Sequence, residues 1–183
     1  MTFEQFCNSE IKSRLIKFFI YNNAQFYHIN DIAKQLGVQS RVIKGDLLKL
    51  LEAGFVRSRS SNLFAVNNKF PYFNELKSLV LKFPAVSDET IIKEIKKVGP
   101  VKFLLIAGIF LNSLKSRADM VVVGDKISEK KFANFLRLIE SSIGKEIHYV
   151  QMSVHEFKYR KNMFDRFILD ALESPHRKLI NKM

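Results

Sequence analysis

Between Val98 and Val101 the spacing of the apolar residues changes, and that change constrains the fold more than any other feature of the chain. Before it, apolar residues recur every three or four positions, the spacing that gives a helix one buried face. After Gly99-Pro100 come two nearly unbroken apolar runs, 101–107 and 120–123. Such runs suit strands covered on both faces, which need helices on either side of a sheet. A length of 183 residues allows one large domain or two small ones. The pattern predicts an α+β chain with residues 1–70 as one domain, 71–85 as a linker helix and 86–183 as a small α/β domain.

In the first half, Ile11, Leu15, Phe18 and Phe19 give an apolar face to a helix over residues 3–21. Residues 26–29 read as a short strand. Asn30 is the expected N-cap of a helix over 31–36, ended by Gly37. A turn at 38–40 leads to a helix over about 40–53, and Gly54 stops it. Residues 55–59 and 63–66 form a hairpin around the turn Ser60-Ser61-Asn62. In the second half, helices are expected over 72–83, 88–98, 128–143 and 164–172, and a third strand over 146–152. Ser153 and Glu156 have capping-box spacing, and residues 174–183 read as a basic tail.

The net charge is +12, which favours a polyanionic partner. Residues 1–70 carry 10 Lys and Arg against 5 Asp and Glu, and residues 71–183 carry 20 against 13. Both halves are therefore basic. The one cysteine, Cys7, has no internal partner for a disulfide and suits a reducing cytoplasm. No secretory signal is visible at the N-terminus, and the most apolar stretch, 101–111, is shorter than the about 20 residues a membrane span needs. A cytoplasmic protein without membrane association is expected. His28, His148, His155 and His176 are scattered and lack ligand spacing, so neither metal nor cofactor is expected.

The helix at 40–53 repays closer reading. Ile43, Leu47 and Leu50 share one face, while Ser40, Arg41, Lys44 and Gly45 fall on the other. A second helix laid in the major groove needs this division, because its outer face must be small or polar to reach base edges. Arg41 can pair bidentately with guanine or phosphate, and Lys44 suits phosphate. Gly45 costs about 1 kcal/mol relative to alanine within a helix. Close approach to DNA or neutral drift would account for it. Arg57 and Arg59 on the hairpin, with Asn62 at its tip, suit the DNA backbone or the minor groove. The order helix, short strand, helix, tight turn, helix, hairpin, with Asp31-Ile32-Ala33-Lys34-Gln35-Leu36-Gly37-Val38 before the outer helix and Leu51-Glu52-Ala53-Gly54-Phe55-Val56 after it, resembles the winged helix-turn-helix of ArsR-like regulators over about residues 8–70. The resemblance implies duplex DNA as the partner. Such regulators commonly act as symmetric dimers on palindromic sites. A homodimer is expected, with the 72–83 helix packing either within the chain or against a second copy.

The run Phe103-Leu104-Leu105-Ile106-Ala107-Gly108-Ile109, followed by Ser116-Arg117-Ala118-Asp119-Met120-Val121-Val122-Val123, is similar to the core of the minimal nucleotidyltransferase family over roughly residues 71–172. That family carries Gly-Ser after the first strand and Ser-Asp-x-Asp before the next. Nucleotidyl transfer uses the two carboxylates to hold metal ions. Here Gly108 survives, Ile109 stands at the serine, Arg117 at the first carboxylate and Asp119 at the second. A cation at a metal-ligand position repels Mg²⁺, so the resemblance implies a domain without catalytic residues. Gly108, Lys115, Arg117 and Asp119 mark a degenerate nucleotide site. Lys115 and Arg117 are chemically able to hold an anion without metal, although solvated surface charge is the expectation for them. Three functions compete: a DNA-binding regulator, a nucleotidyltransferase or antitoxin-type enzyme acting on a partner, and a scaffold whose winged helix binds protein or RNA. The missing carboxylate favours the first over the second.

Overall fold

The fold is described from a computed structural model covering Phe3, residues 7–84, 86–113 and 116–183. Residues 4–6 of the first predicted helix, Ala85 of the predicted linker and Lys115 lie outside the described residues. The chain is a mixed α+β protein divided into two compact units, Met1–Phe83 with Glu140–Lys145, and Pro84–Ile139 with Glu146–Met183. Among the described residues, no helix is long and apolar enough to cross a membrane.

The first unit runs α1 (Glu10–Tyr21), β1 (Tyr27–His28), α2 (Ile29–Gln35), α3 (Ser40–Glu52), β2 (Val56–Ser60), β3 (Leu63–Val66) and α4 (Phe73–Lys82). Its antiparallel sheet has the order β1-β3-β2. The helical spacing read from the sequence buries Leu15, Phe18 and Phe19 of α1 against Ile32, Leu36, Ile43 and Leu47. Burying a side chain of this size stabilises the unit by about 1.5–3 kcal/mol. Ser9 starts α1 by accepting from the Lys12 N–H at 3.2 Å. The helix predicted as a linker belongs to this unit, because Phe73 and Val80 are part of the same core.

One cap differs from expectation. Asn30 lies inside α2, and His28 is the N-cap, its Nδ1 accepting from the Asn30 N–H at 3.2 Å. The Asn30 side chain is used elsewhere: its Oδ1 accepts from the Ser40 hydroxyl at 2.7 Å, tying the starts of α2 and α3 together. Residues 140–145 complete the unit. The Gly144 carbonyl accepts from the side chains of Asn22 at 2.6 Å and Gln35 at 3.1 Å.

The second unit runs α5 (Asp88–Ile95), β4 (Val101–Ile106), a 3-10 turn (Gly108–Leu111), β5 (Met120–Gly124), α6 (Glu129–Ile143), β6 (Tyr149–Met152), α7 (Val154–Asn162), α8 (Arg166–Glu173) and β7 (Arg177–Asn181). The last residues of α6 are counted with the first unit. The sheet order is β6-β5-β4-β7. Only β5 and β6 are parallel, joined across α6, whereas β4 is antiparallel to both neighbours. Among the described residues of the 107–119 connection the one regular element is a 3-10 turn, β5 returns beside β4 in the opposite direction, and the sheet is mixed. The apolar runs do form strands buried on both faces: all of β5 is buried. Phe103, Leu105, Val121 and Val123 form one core with Phe157, Ile168 and Ala171, and Leu104, Ile106 and Val122 are buried as well.

Three further expectations are corrected. The predicted basic tail contains β7, which pairs with β4 through Leu104↔Ile180 and buries Ile180. The third strand begins at Tyr149. The last helix begins at Arg166, where Asp165 Oδ1 accepts from the Ile168 N–H at 3.1 Å. Ser153 caps α7 as its spacing predicts, accepting from the Glu156 N–H at 3.0 Å.

Candidate nucleic-acid interface

The outer face of α3 is built by subtraction. Ile43 and Leu47 are fully buried and Leu50 nearly so, which leaves Arg41, Lys44, Gly45 and Leu48 exposed along one line of the helix. Nothing lies within 4 Å of where a Gly45 Cβ would stand, so the glycine is not there to relieve internal crowding. Ser40 opens the helix and is half-buried by its bond to Asn30.

The hairpin turn comes close to this face. A groove of about 270 Å³ is lined by Ser40, Arg41 and Lys44 from α3, by Ser61 and Asn62 from the turn, and by His28 and Asn30 between them. Gly45 does not line it, nor do Arg57 and Arg59. From Arg57 to Ser60 every residue of β2 is exposed. The Arg57 guanidinium lies over the Phe26 ring, 5.0 Å from its centroid. That stacking holds the side chain flat while leaving its charge outward. The cations lining the groove are Arg41 and Lys44, and apolar Ile29, Leu47, Leu48 and Phe64 line it beside the hydrogen-bonding groups.

Several residues of this surface escaped the sequence reading. Leu48 and Val42 are 44% and 48% exposed. Leu48 belongs to the Arg41-Lys44-Gly45 line, and counting seven residues on from Arg41 would have found it. His28, Asn30 and Ser61 carried no such signal, because their place in the groove depends on how α2 and the hairpin pack.

The predicted nucleotide site looks different. Asp119 Oδ1 accepts from the Ile109 N–H at 2.7 Å, and Oδ2 accepts from the His148 N–H at 2.9 Å. The carboxylate is thus a clamp between the 3-10 turn and the chain entering β6. Gly108 has φ +50, and a Cβ there would fall on the Asp119 carboxylate. Arg117 is turned to another partner, Asp170 Oδ2, at 2.9 Å. Gly108 and Asp119 are thus brought together, and Arg117 is paired with α8. Among the described residues, no three His, Cys, Asp or Glu side chains cluster as metal ligands would.

No family model, curated protein or solved structure matches the chain.

Proposed function

We propose that the chain is a DNA-binding transcriptional regulator whose first unit is a winged helix-turn-helix. In this reading α3 is the recognition helix in the major groove, and the β2–β3 hairpin is the wing. The observation that carries it is the groove joining Ser40, Arg41 and Lys44 to Ser61 and Asn62. Its Arg41 and Lys44 suit phosphates, and its amide and hydroxyl groups suit base edges. Leu48, exposed on the same line, is of the kind that meets a thymine methyl.

The second unit is proposed as a nucleotidyltransferase-like body without catalytic residues, serving oligomerisation or the binding of a partner. What supports this is Arg117 at the first carboxylate position and the engagement of both Asp119 oxygens by backbone N–H groups. A homodimer on a palindromic site remains part of the proposal. It needs a surface other than the inner face of α4, whose Phe73 and Val80 are already buried. Light scattering that gives only a 21.3 kDa species at micromolar concentration would remove that part.

The regulator reading is tested by selecting bound sequences from random duplexes with the full chain, then titrating the selected duplex at several salt concentrations. Arg41→Ala is expected to cost about 1–3 kcal/mol and relax selectivity at one or two base positions. Lys44→Ala should weaken all duplexes about equally. Absence of duplex retention even at low salt would end the reading.

A further inference from the structure

The turn between α7 and α8 gathers three exposed large apolar residues, among them Phe164, the most exposed of those described. Phe164 is 78% exposed, Met163 65%, and Tyr159, one turn back, 60%. Phe164 also has φ +54, a left-handed conformation that bulky side chains rarely adopt. The backbone nevertheless holds the turn closed. The Met163 N–H donates to the Tyr159 carbonyl at 3.0 Å, Phe164 to Lys161 at 3.2 Å and Asp165 to Arg160 at 2.9 Å. The ring is thus held out into solvent on a fixed support.

Cations flank it in the sequence. Arg160 and Lys161 precede the turn and Arg166 follows it. Arg160 pairs with Glu156 at 2.7 Å. Asp170 is shared by Arg166 at 3.8 Å and Arg117 at 2.9 Å, so one carboxylate faces two guanidinium groups. With Asp165 beside the ring, these four cations face three carboxylates, Glu156, Asp165 and Asp170, which leaves the patch a small positive excess beside an open aromatic face. The Arg117 that departs from the nucleotidyltransferase pattern falls within it. The apolar residues of α7 and α8 that could form a long greasy face, Phe157, Ile168 and Ala171, are spent in the core. The outer surface thus lacks the continuous apolar stripe by which a helix lies in a lipid interface. An open ring beside guanidinium groups matches a base with a free face and its flanking phosphates.

We propose that the α7–α8 turn is a second nucleic-acid site, which takes an unpaired base of a single strand against the Phe164 ring while Arg160, Lys161, Arg166 and Arg117 hold the neighbouring phosphates. In a duplex both base faces are already stacked, so the site prefers single strands. It lies wholly within the second unit and does not depend on α3.

The test uses the full chain and an oligothymidine carrying one 2-aminopurine, followed by anisotropy and by base fluorescence. Binding is expected, with a change in 2-aminopurine emission. Phe164→Ala should abolish that change and weaken affinity about tenfold or more, and Phe164→Tyr should restore both. The ring is exposed, so its loss leaves the fold intact, as an unchanged urea midpoint will verify. Arg41→Ala with Lys44→Ala should leave single-strand binding in place. The proposal is overturned if Phe164→Ala binds the strand as the parent does, or if single-strand binding disappears with the α3 variant. It is equally overturned if the tip binds phosphatidylglycerol–phosphatidylcholine vesicles in a Phe164-dependent way and no oligonucleotide. Failure of duplex binding alone would leave this site standing and remove only the winged-helix reading.

Discussion

Asp119 and Gly108 were legible as a pair in the sequence, but their role was not. The residues that look like remnants of a catalytic motif make a structural clamp, because each carboxylate oxygen accepts a backbone N–H that would otherwise go unpaired. Nothing in the spacing of 108 and 119 separates a carboxylate aimed at a metal from one aimed at the chain itself. Asp119→Asn should cost about 1–3 kcal/mol, the penalty for leaving one such N–H without an acceptor. Gly108→Ala should cost at least as much, since it adds a Cβ in a left-handed backbone against that carboxylate. Urea denaturation at neutral pH measures both. If both variants matched the parent in midpoint, the clamp would carry no stability. Tyr21 supplies a titration at the same scale. Burial pushes its phenol up to about 12 from an ordinary 10.0. The unfolded chain therefore releases that proton at lower pH than the folded one. The stabilising contribution is complete below pH 10 and is lost as pH rises towards 12. The urea midpoint should fall across that window, and Tyr21→Phe should flatten the fall.

At the scale of elements, the change of apolar spacing at Gly99-Pro100 located the sheet, because strands buried on both faces leave a signature that needs no knowledge of their partners. β7 left none. Of Arg177–Asn181 only Ile180 is buried, and a basic edge strand with one inward side chain reads like a tail until β4 is there to pair with it. Ile180→Ala should destabilise the second unit by about 2 kcal/mol or more, whereas a true tail would not respond. The cap was placed on Asn30 instead of His28 for a related reason. His28 and Asn30 are both able to cap, and the tie from Ser40 to Asn30 settles which of them does. In α3 the sequence left two accounts of Gly45 open, and the open space around it makes them separable. Gly45→Ala should stabilise the unit by about 1 kcal/mol, since alanine is the better helix former and meets no obstacle. If the glycine allows close backbone approach, the same variant should weaken duplex binding. Greater stability with unchanged affinity would assign Gly45 to drift.

For the molecule as a whole, the charge is the property that composition displayed most openly and located least. With Lys and Arg in excess in both halves, affinity for DNA alone cannot say which surface is used, because any basic protein gains from releasing counterions. The salt dependence can. Each phosphate neutralised on duplex DNA contributes a slope of about −0.9 to log K against log salt, and on single strands about −0.7. If the first unit binds duplex alone, its interface offers four cations, Arg41, Lys44, Arg57 and Arg59, and the slope should be no steeper than about −3.6. Arg41→Ala with Lys44→Ala should then remove about half of it. A much steeper slope, little changed by that double variant, would mean that cations of the second unit also lie on the duplex. On single strands the order should invert, with the slope reduced by Arg160→Ala and Lys161→Ala and indifferent to α3. Two slopes that respond to separate sets of cations would place two nucleic-acid surfaces on one chain. A single slope that answers to every cation equally would reduce the basic character to nonspecific attraction.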